Sequence, residues 1–434
     1  MNDSFNWLRV CTMRAHRAGV LLLALLLLAI VAPPALRVVA DAAYNPRYDV
    51  TGDGVVNVID IQTVAGAWGT SGNAYDDREL IVAKNGGEYQ TIGAAISAIQ
   101  AAGDASASAP YVIRVLPGTY VESVTLPAYT HLLGSGEATT ILSSAVGNAS
   151  WPPTTATLVM GSQSRASGLT VINEGADDYN VAILVSNVEA TLLHVTAQAL
   201  NPATGRAAGL PKSRGVVPMA PGPESPSSDR DYYFGIVNRG STAILNAENV
   251  SALAQAGYSS NFGLYNESGA RAILRGGTYR GLDLGATYGI NNSGSGTTVV
   301  AESVSAEGSG GSTFNYGLNN VNSAIATLRG GTYSGQEGTT AAGVYNSAAS
   351  LTAESINALG QDSLNANYGL NNVSSAIAIV TFSSLEGEIS AVNAESGSVT
   401  LSLSELKGGA VSGSASCSLV LYNGTQLSST CTIP

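Results

Sequence analysis

Between Tyr233 and about Asn372 short apolar stretches alternate with Gly, Asn and Ser, and no window of eleven residues keeps apolar residues at i, i+3, i+4 and i+7. Stretches such as Thr242–Leu245 and Ser323–Leu328 are bounded by turn residues and predict short strands. The phrase Gly-apolar-x-Asn begins at Gly235, Gly263, Gly289, Gly317, Gly343 and Gly369, in steps of 28, 26, 28, 26 and 26 residues. A second phrase, Ala-Glu-x-(Val/Ile)-x-Ala, returns at Glu248, Glu302 and Glu354, about twice that step, and the units between carry Leu274–Tyr279 and Leu328–Tyr333. Units therefore alternate in two flavours. A fixed period of this size marks a solenoid, and two or three short strands per unit with Gly/Asn corners describe one coil of a parallel β-helix. The Asn three residues after each Gly (Asn238, Asn266, Asn292, Asn320, Asn346 and Asn372) fits an inward file of stacked amides; the plainer reading is turn Asn without a ladder.

The flanks read differently. Ile92, Ala95, Ile96 and Ile99 share one helical face, which predicts a short helix covering the open end of the solenoid, with Val112–Leu116 and Val124–Leu126 as first strands. At the start, Arg9, Arg14 and Arg17 precede an apolar run from Gly19 to Ala32, and Val38-Val39-Ala40 offers small residues before a cut ahead of Asp41. Residues 1–40 thus read as a secretory signal peptide, the rival being a retained anchor. The run is short for a spanning helix and stops at Pro33-Pro34, so no membrane attachment is expected after its removal.

A net charge of −12 with no basic stripe argues against nucleic acid. The remaining cysteines outside the leader, Cys417 and Cys431, are an even pair in an extracellular chain, either a disulfide closing the last loop or two free thiols. Tyr and Trp are sparse and fall mostly within the repeat phrase, so no platform for sugar stacking stands out.

The sharpest local motif runs from Asp49 to Asp60. Oxygen side chains stand at loop positions 1, 3, 5, 9 and 12 (Asp49, Thr51, Asp53, Asn57, Asp60), Gly54 sits where the loop must turn, and the Val55 carbonyl would fill position 7. This is an EF-hand-like calcium pattern, followed by a predicted helix from Val58 to Trp68. The segment resembles one repeat of a dockerin, the calcium-dependent module of secreted, cellulosome-type enzymes. That resemblance implies calcium as cofactor and, more remotely, a cohesin-type protein partner. The chain departs from the family in carrying one such loop rather than two, and Thr51 where a stronger ligand is usual. The expected organisation is a signal peptide (1–40), a dockerin-like half-module (41–70), a linker (71–79) and the β-helix (80–434).

Val82–Ile96, Tyr111–Glu122 and His131–Gly136 together resemble the opening of pectinesterases and other right-handed β-helix proteins of the pectin-lyase-like superfamily, over roughly residues 82–145. The resemblance implies an all-β, right-handed parallel β-helix and keeps a pectin-like polysaccharide in view as partner. It would also imply two Asp, an Arg and oxyanion-stabilising Gln residues deeper in the solenoid. Where the first two motifs would fall, the chain reads Tyr179–Val185 and Val195–Leu200, with Gln198 but no Asp, and the other two are absent. His131 and His194 complete no Ser-His-Asp set, and Asp177-Asp178 reads as a turn before a calcium or catalytic pair. One interruption remains, the Pro-rich loop 201–231 with Arg206, Lys212, Arg214 and Arg230. It reads either as a substrate loop for an anionic sugar or as an insertion with nothing bound. The expectation is a secreted, non-catalytic β-helix contacting polysaccharide or serving surface attachment. The alternatives are a diverged pectinesterase or polysaccharide lyase, and a purely structural solenoid.

Overall fold

The computed structural model describes residues 50, 54–66, 78–201 and 231–432. The described residues wind into a parallel β-helix in which each coil contributes one strand to each of three parallel sheets. The first sheet runs from Glu79–Val82 through Tyr111–Val115 and Thr130–Gly134 to Ile377–Thr381 and the end of Ser390–Ser402. The second begins at Gly118–Val121 and passes through Ser251–Gln255, Thr278–Leu282 and Ser305–Ser309. The third carries Tyr179–Ser186, Tyr232–Arg239, Ser260–Glu267, Ala286–Ser293, Phe314–Val321, Thr340–Ser347 and Ala366–Val373. Among the described residues only one pair of strands is antiparallel, the terminal Leu421–Tyr422 with Thr425–Gln426, besides the single bridges Ser106–Ala109 and Asn148–Tyr179.

The Gly-apolar-x-Asn phrase is a third-sheet strand. Its Gly passes close to the second sheet: a Cβ on Gly263 would stand 2.4 Å from the Arg280 nitrogen, and one on Gly289 2.4 Å from that of Glu307, so no larger residue fits. The apolar residue (Ile236, Leu264, Ile290, Leu318, Val344, Leu370) is buried in the prism, and the next points outward. The Asn turns inward again, and all six are fully buried. Each Nδ2 from Asn238 to Asn346 donates to the next Oδ1, at 2.8, 2.8, 2.8, 2.7 and 2.6 Å. Each also donates to a first-sheet carbonyl, from Arg271 to Ile377. The stacked amides thus staple the third sheet to the first through their shared corner. The file starts above Val185 and ends below Ala394, whose side chains cannot extend it. Accordingly, Asn238 Oδ1 has no partner.

The second phrase crosses the corner from first to second sheet. That corner is two residues long, and its first residue is left-handed in coil after coil: Asn249, Gly276, Ser303, Gly330 and Ser355. Asn, Gly and Ser tolerate that conformation. The two flavours have two causes. On the outer surface Glu248, Arg275, Glu302, Arg329 and Glu354 stand in register, and Glu302 meets Arg275 at 3.6 Å and Arg329 at 3.2 Å. Inside, Ala252, Tyr279, Ala306, Tyr333 and Ala358 alternate small with large in one second-sheet file, so neighbouring rings do not collide. Step length varies only at the other two corners.

Helix α1 spans Val58–Gly66 and α2 spans Ile92–Ala102. In α2, Thr91 accepts from the Ala94 N–H as N-cap, Gly103 closes the C-terminus at φ +66, and Ile92, Ala95, Ile96 and Ile99 are buried. It joins the first two strands of the first sheet and packs into the same core as Leu80, Val82 and Ile113. Cys417 and Cys431 are joined by a disulfide at the far end. No helix among the described residues is long and apolar enough to cross a membrane.

Candidate functional site

The residue before each repeat Gly and the residue two after it both point outward from the third sheet, and there the scarce aromatics collect. Phe234, Phe262, Tyr288 and Tyr316 occupy one register file. Phe234 and Phe262 stack with centroids 5.1 Å apart, and Phe262 and Tyr288 with 4.9 Å. Tyr316 meets Tyr288 edge-on at 5.8 Å and stacks on Tyr345 at 4.7 Å. Tyr265, in the neighbouring outward file, stands across the stack at 83° to Phe262 and 85° to Phe234. Trp151, from the loop between the second and third sheets, reaches Tyr179, Phe234 and Tyr265 within 5.6 Å. Tyr179 and Tyr232 stack beside it at 5.2 Å. Phe234, Phe262 and Tyr316 are themselves buried, and with Ala156, Leu184 and Val237 the two Phe form a second small hydrophobic cluster outside the sheet, so the half-buried Trp151, Tyr179, Tyr232, Tyr265 and Tyr288 are the rings that reach its surface.

The file of Tyr265 and Tyr345 also holds two carboxamide pairs, one on each side of Tyr345, with Asn319 donating to Asn291 and Asn393 to Asn371 at 3.0 Å. Asn319 Oδ1 is buried without a partner. Burial, with nearby Tyr345 and Tyr232, pushes the Tyr288 phenol up to about 12. Burial likewise raises Tyr265 and Tyr316. At ordinary pH all three are neutral hydrogen-bonding groups.

Two charged features flank the face. At one strand end Arg239 Nε meets Glu267 Oε1 at 3.3 Å. Burial pushes the Glu267 carboxyl up, opposed by Arg239, Ser268 and Trp151. At the other end Asp178 and Asp231 are neighbours across adjacent coils, because Tyr179 pairs with Tyr232. Asp231 is buried, and burial followed by the charge of Asp178 raises its pKa. Seven strand residues, 232–238, lie between Asp231 and Arg239, roughly 20 Å or more. Glu267 and Asp231 cannot act on one bond, since paired acid and base carboxyls sit about 5–10 Å apart.

Of the residues singled out from sequence, Asp49, Thr51, Asp53, Arg206, Lys212, Arg214 and Arg230 lie outside the described residues. Val55, Asn57 and Asp60 are described at the start of α1. The Asn57 N–H donates to Asp60 Oδ2 at 2.7 Å, Asn57 Oδ1 accepts from the Ile59 N–H at 2.7 Å, and Asn57 Nδ2 reaches the Val55 carbonyl at 3.3 Å. The closing half of the loop is thus a capped helix start that gathers three oxygen-bearing groups, an arrangement compatible with a hard cation. No group of three or more His, Cys, Asp or Glu among the described residues could hold a metal. His194 sits at a left-handed corner, φ +49, and His131 on the first sheet beside Arg165.

The sequence singles out no aromatic platform for sugar stacking; the structure gathers a partly buried cluster from Trp151 to Tyr345 whose stacked faces are turned on one another. Its signal was present one residue ahead of the repeat Gly, but only the coil register stacks those positions.

No known family model matches the chain, and no curated protein does. Among solved structures it is similar to a pectin methylesterase from carrot, with 12% identity over 84% of this chain and 88% of that one, at a TM-score of 0.30. A pectin methylesterase from Erwinia chrysanthemi gives 12% identity over 83% and 92%, at 0.24. The catalytic domain of a GH87 alpha-1,3-glucanase in complex with nigerose gives 10% over 82% and 67%, at 0.32. The assignment of a parallel β-helix rests on this chain's own strand register.

Proposed function

We propose that this is a secreted β-helix protein that contacts polysaccharide through the outer face of its third sheet, without turning it over. The observation that supports this reading is the aromatic cluster around Trp151 and Tyr265, with the carboxamide pairs Asn291–Asn319 and Asn371–Asn393 in the file of Tyr265. Rings take the apolar faces and C–H edges of sugars, while amides and phenols exchange hydrogen bonds with hydroxyls. Trp151→Ala and Tyr265→Ala should each weaken retardation in polysaccharide-containing native gels by about tenfold, an anchor residue's share. Unchanged retardation would refute the reading.

A second reading, a diverged pectin-active enzyme, is favoured by the Asp178–Asp231 pair, since a carboxyl whose pKa is raised beside another carboxyl is how an acid and a base are set apart. Release of methanol, unsaturated product or reducing ends that disappears in Asp231→Asn would establish it.

Calcium belongs to the same proposal. Asp49, Thr51, Asp53, Asn57 and Asp60, with the Val55 carbonyl, would hold the ion, which would fix the loop against α1. A calcium-dependent rise in Tm lost in Asp53→Ala is the expected result.

A further inference from the structure

The electrostatics of the third-sheet face bear on which polysaccharide it accepts, and this inference rests on the reading just proposed. Among the described residues Arg239 is the one cation on the outer face of that sheet, and it is held by Glu267 at 3.3 Å. The other titratable neighbours of the face are acidic: Asp178 and Asp231 beside Tyr179 and Tyr232, and Glu395 beside Tyr368. The rest of the contact chemistry is neutral, made of phenols, carboxamides and hydrocarbon rings. Over the whole chain the net charge is −12, with Arg206, Lys212, Arg214 and Arg230 already counted. Removal of the leader would deepen it, because Arg9, Arg14, Arg17 and Arg37 outnumber Asp3.

We infer that the ligand of this face is an uncharged glycan, and that polyuronates are excluded by charge. Among the described residues a carboxylate on every sugar ring would meet no guanidinium or ammonium but the Arg239 already held by Glu267, and would be brought against Glu267 or the Asp178–Asp231 edge. Like charges set against one another in an interface disfavour the wrong partner. Glu267, held by Arg239, instead presents an acceptor to neutral hydroxyls.

The test uses the full mature chain and two polymers of one backbone, homogalacturonan fully methyl-esterified and the same polymer de-esterified, with the salt series separating the effect of charge from that of the lost methyl group. A galactan, a xylan, an α-glucan and a β-glucan serve as further uncharged probes. Binding is read by affinity electrophoresis and by titration at low and high salt. Retention by at least one uncharged polymer is expected, with the de-esterified chain roughly tenfold or more weaker at low salt and the gap narrowing as salt screens it. Glu267→Gln, which leaves Arg239 without its carboxylate, should narrow the gap as well. Equal or tighter binding of the de-esterified polymer at low salt overturns the inference while leaving a polysaccharide-contacting face in place. Binding to no polymer of either kind overturns both. Should Glu267→Gln fail to fold, the polymer pair on the native chain still decides.

Discussion

Replacing Asn292 by Ala would open the amide ladder at its middle, and the cost can be worked from the bonds it makes. Asn292 accepts from Asn266 Nδ2 at 2.8 Å and donates to Asn320 Oδ1 at 2.8 Å and to the Ile325 carbonyl at 3.0 Å. The substitution leaves Asn320 Oδ1 and one Asn266 N–H without partners in a fully buried file. At about 1–3 kcal/mol for each orphaned group, plus a small cavity, the loss is about 3–5 kcal/mol. Asn238 stands at the end of the same file. It donates to Asn266 Oδ1 and the Arg271 carbonyl, but its own oxygen already lacks a partner, so Asn238→Ala orphans one side-chain acceptor. That loss should be about 1–2 kcal/mol. Urea unfolding followed by far-UV circular dichroism, with the disulfide intact, gives both from the midpoint shift and the slope. Equal losses at the two positions, or an Asn292→Ala loss below about 1 kcal/mol, would refute a cooperative ladder and leave six ordinary buried amides.

Three further outcomes follow from the same physics. The hydroxyls of Tyr279 and Tyr333 are buried without partners, whereas that of Tyr120 donates to the Leu116 carbonyl at 2.9 Å; Tyr279→Phe and Tyr333→Phe should leave Tm unchanged or raise it, and Tyr120→Phe should cost about 1 kcal/mol. Asp231 has a folded-state pKa above the ordinary 3.8, so its contribution is fully present below that value and is lost as pH rises through the raised one. Glu267 acts in the same sense. Tm measured from acid to neutral pH should therefore fall less steeply in Asp231→Asn than in the native chain, and an identical slope would contradict the raised pKa that burial, followed by the charge of Asp178, gives Asp231. Cys417 and Cys431 are 14 residues apart, and Cys431→Ser should cost about 3 kcal/mol if the last coil unfolds with the rest. A loss near zero, with hydrogen exchange increased only beyond Ser402, would instead show that the end frays alone.

The period and a coil of two or three strands were legible because one short phrase recurs every 26 or 28 residues, and the Asn file stood there as one of two readings. Gly, an inward apolar residue and Asn recur wherever a third-sheet strand passes the second sheet and turns toward the first. The charge alternation from Glu248 to Glu354 was visible as two flavours, but its meaning needed the register that sets Glu302 between Arg275 and Arg329. The aromatic face was hidden for a related reason. Phe262 and Tyr288 are isolated aromatics in sequence and Phe234 closes the run Tyr232-Tyr233-Phe234, and the three become a stack only when coils pile with matched phase. Trp151 joins them from a different coil and a different kind of segment. The Asp178–Asp231 contact was obscured further, since the 201–231 interruption separates two residues that the fold makes neighbours. The local fragments of a site were present in each case; their coincidence is a property of the winding.

Hydroxyl-radical footprinting with mass spectrometry, in the presence and absence of the uncharged polymer that binds best, locates the contact directly. Trp151, Tyr265 and Tyr345 should be protected from oxidation by the bound polymer, while exposed Phe382, at the corner between the first and second sheets, should react as before. Protection at Phe382 with Trp151, Tyr265 and Tyr345 unchanged would contradict the account and place the polysaccharide on another face.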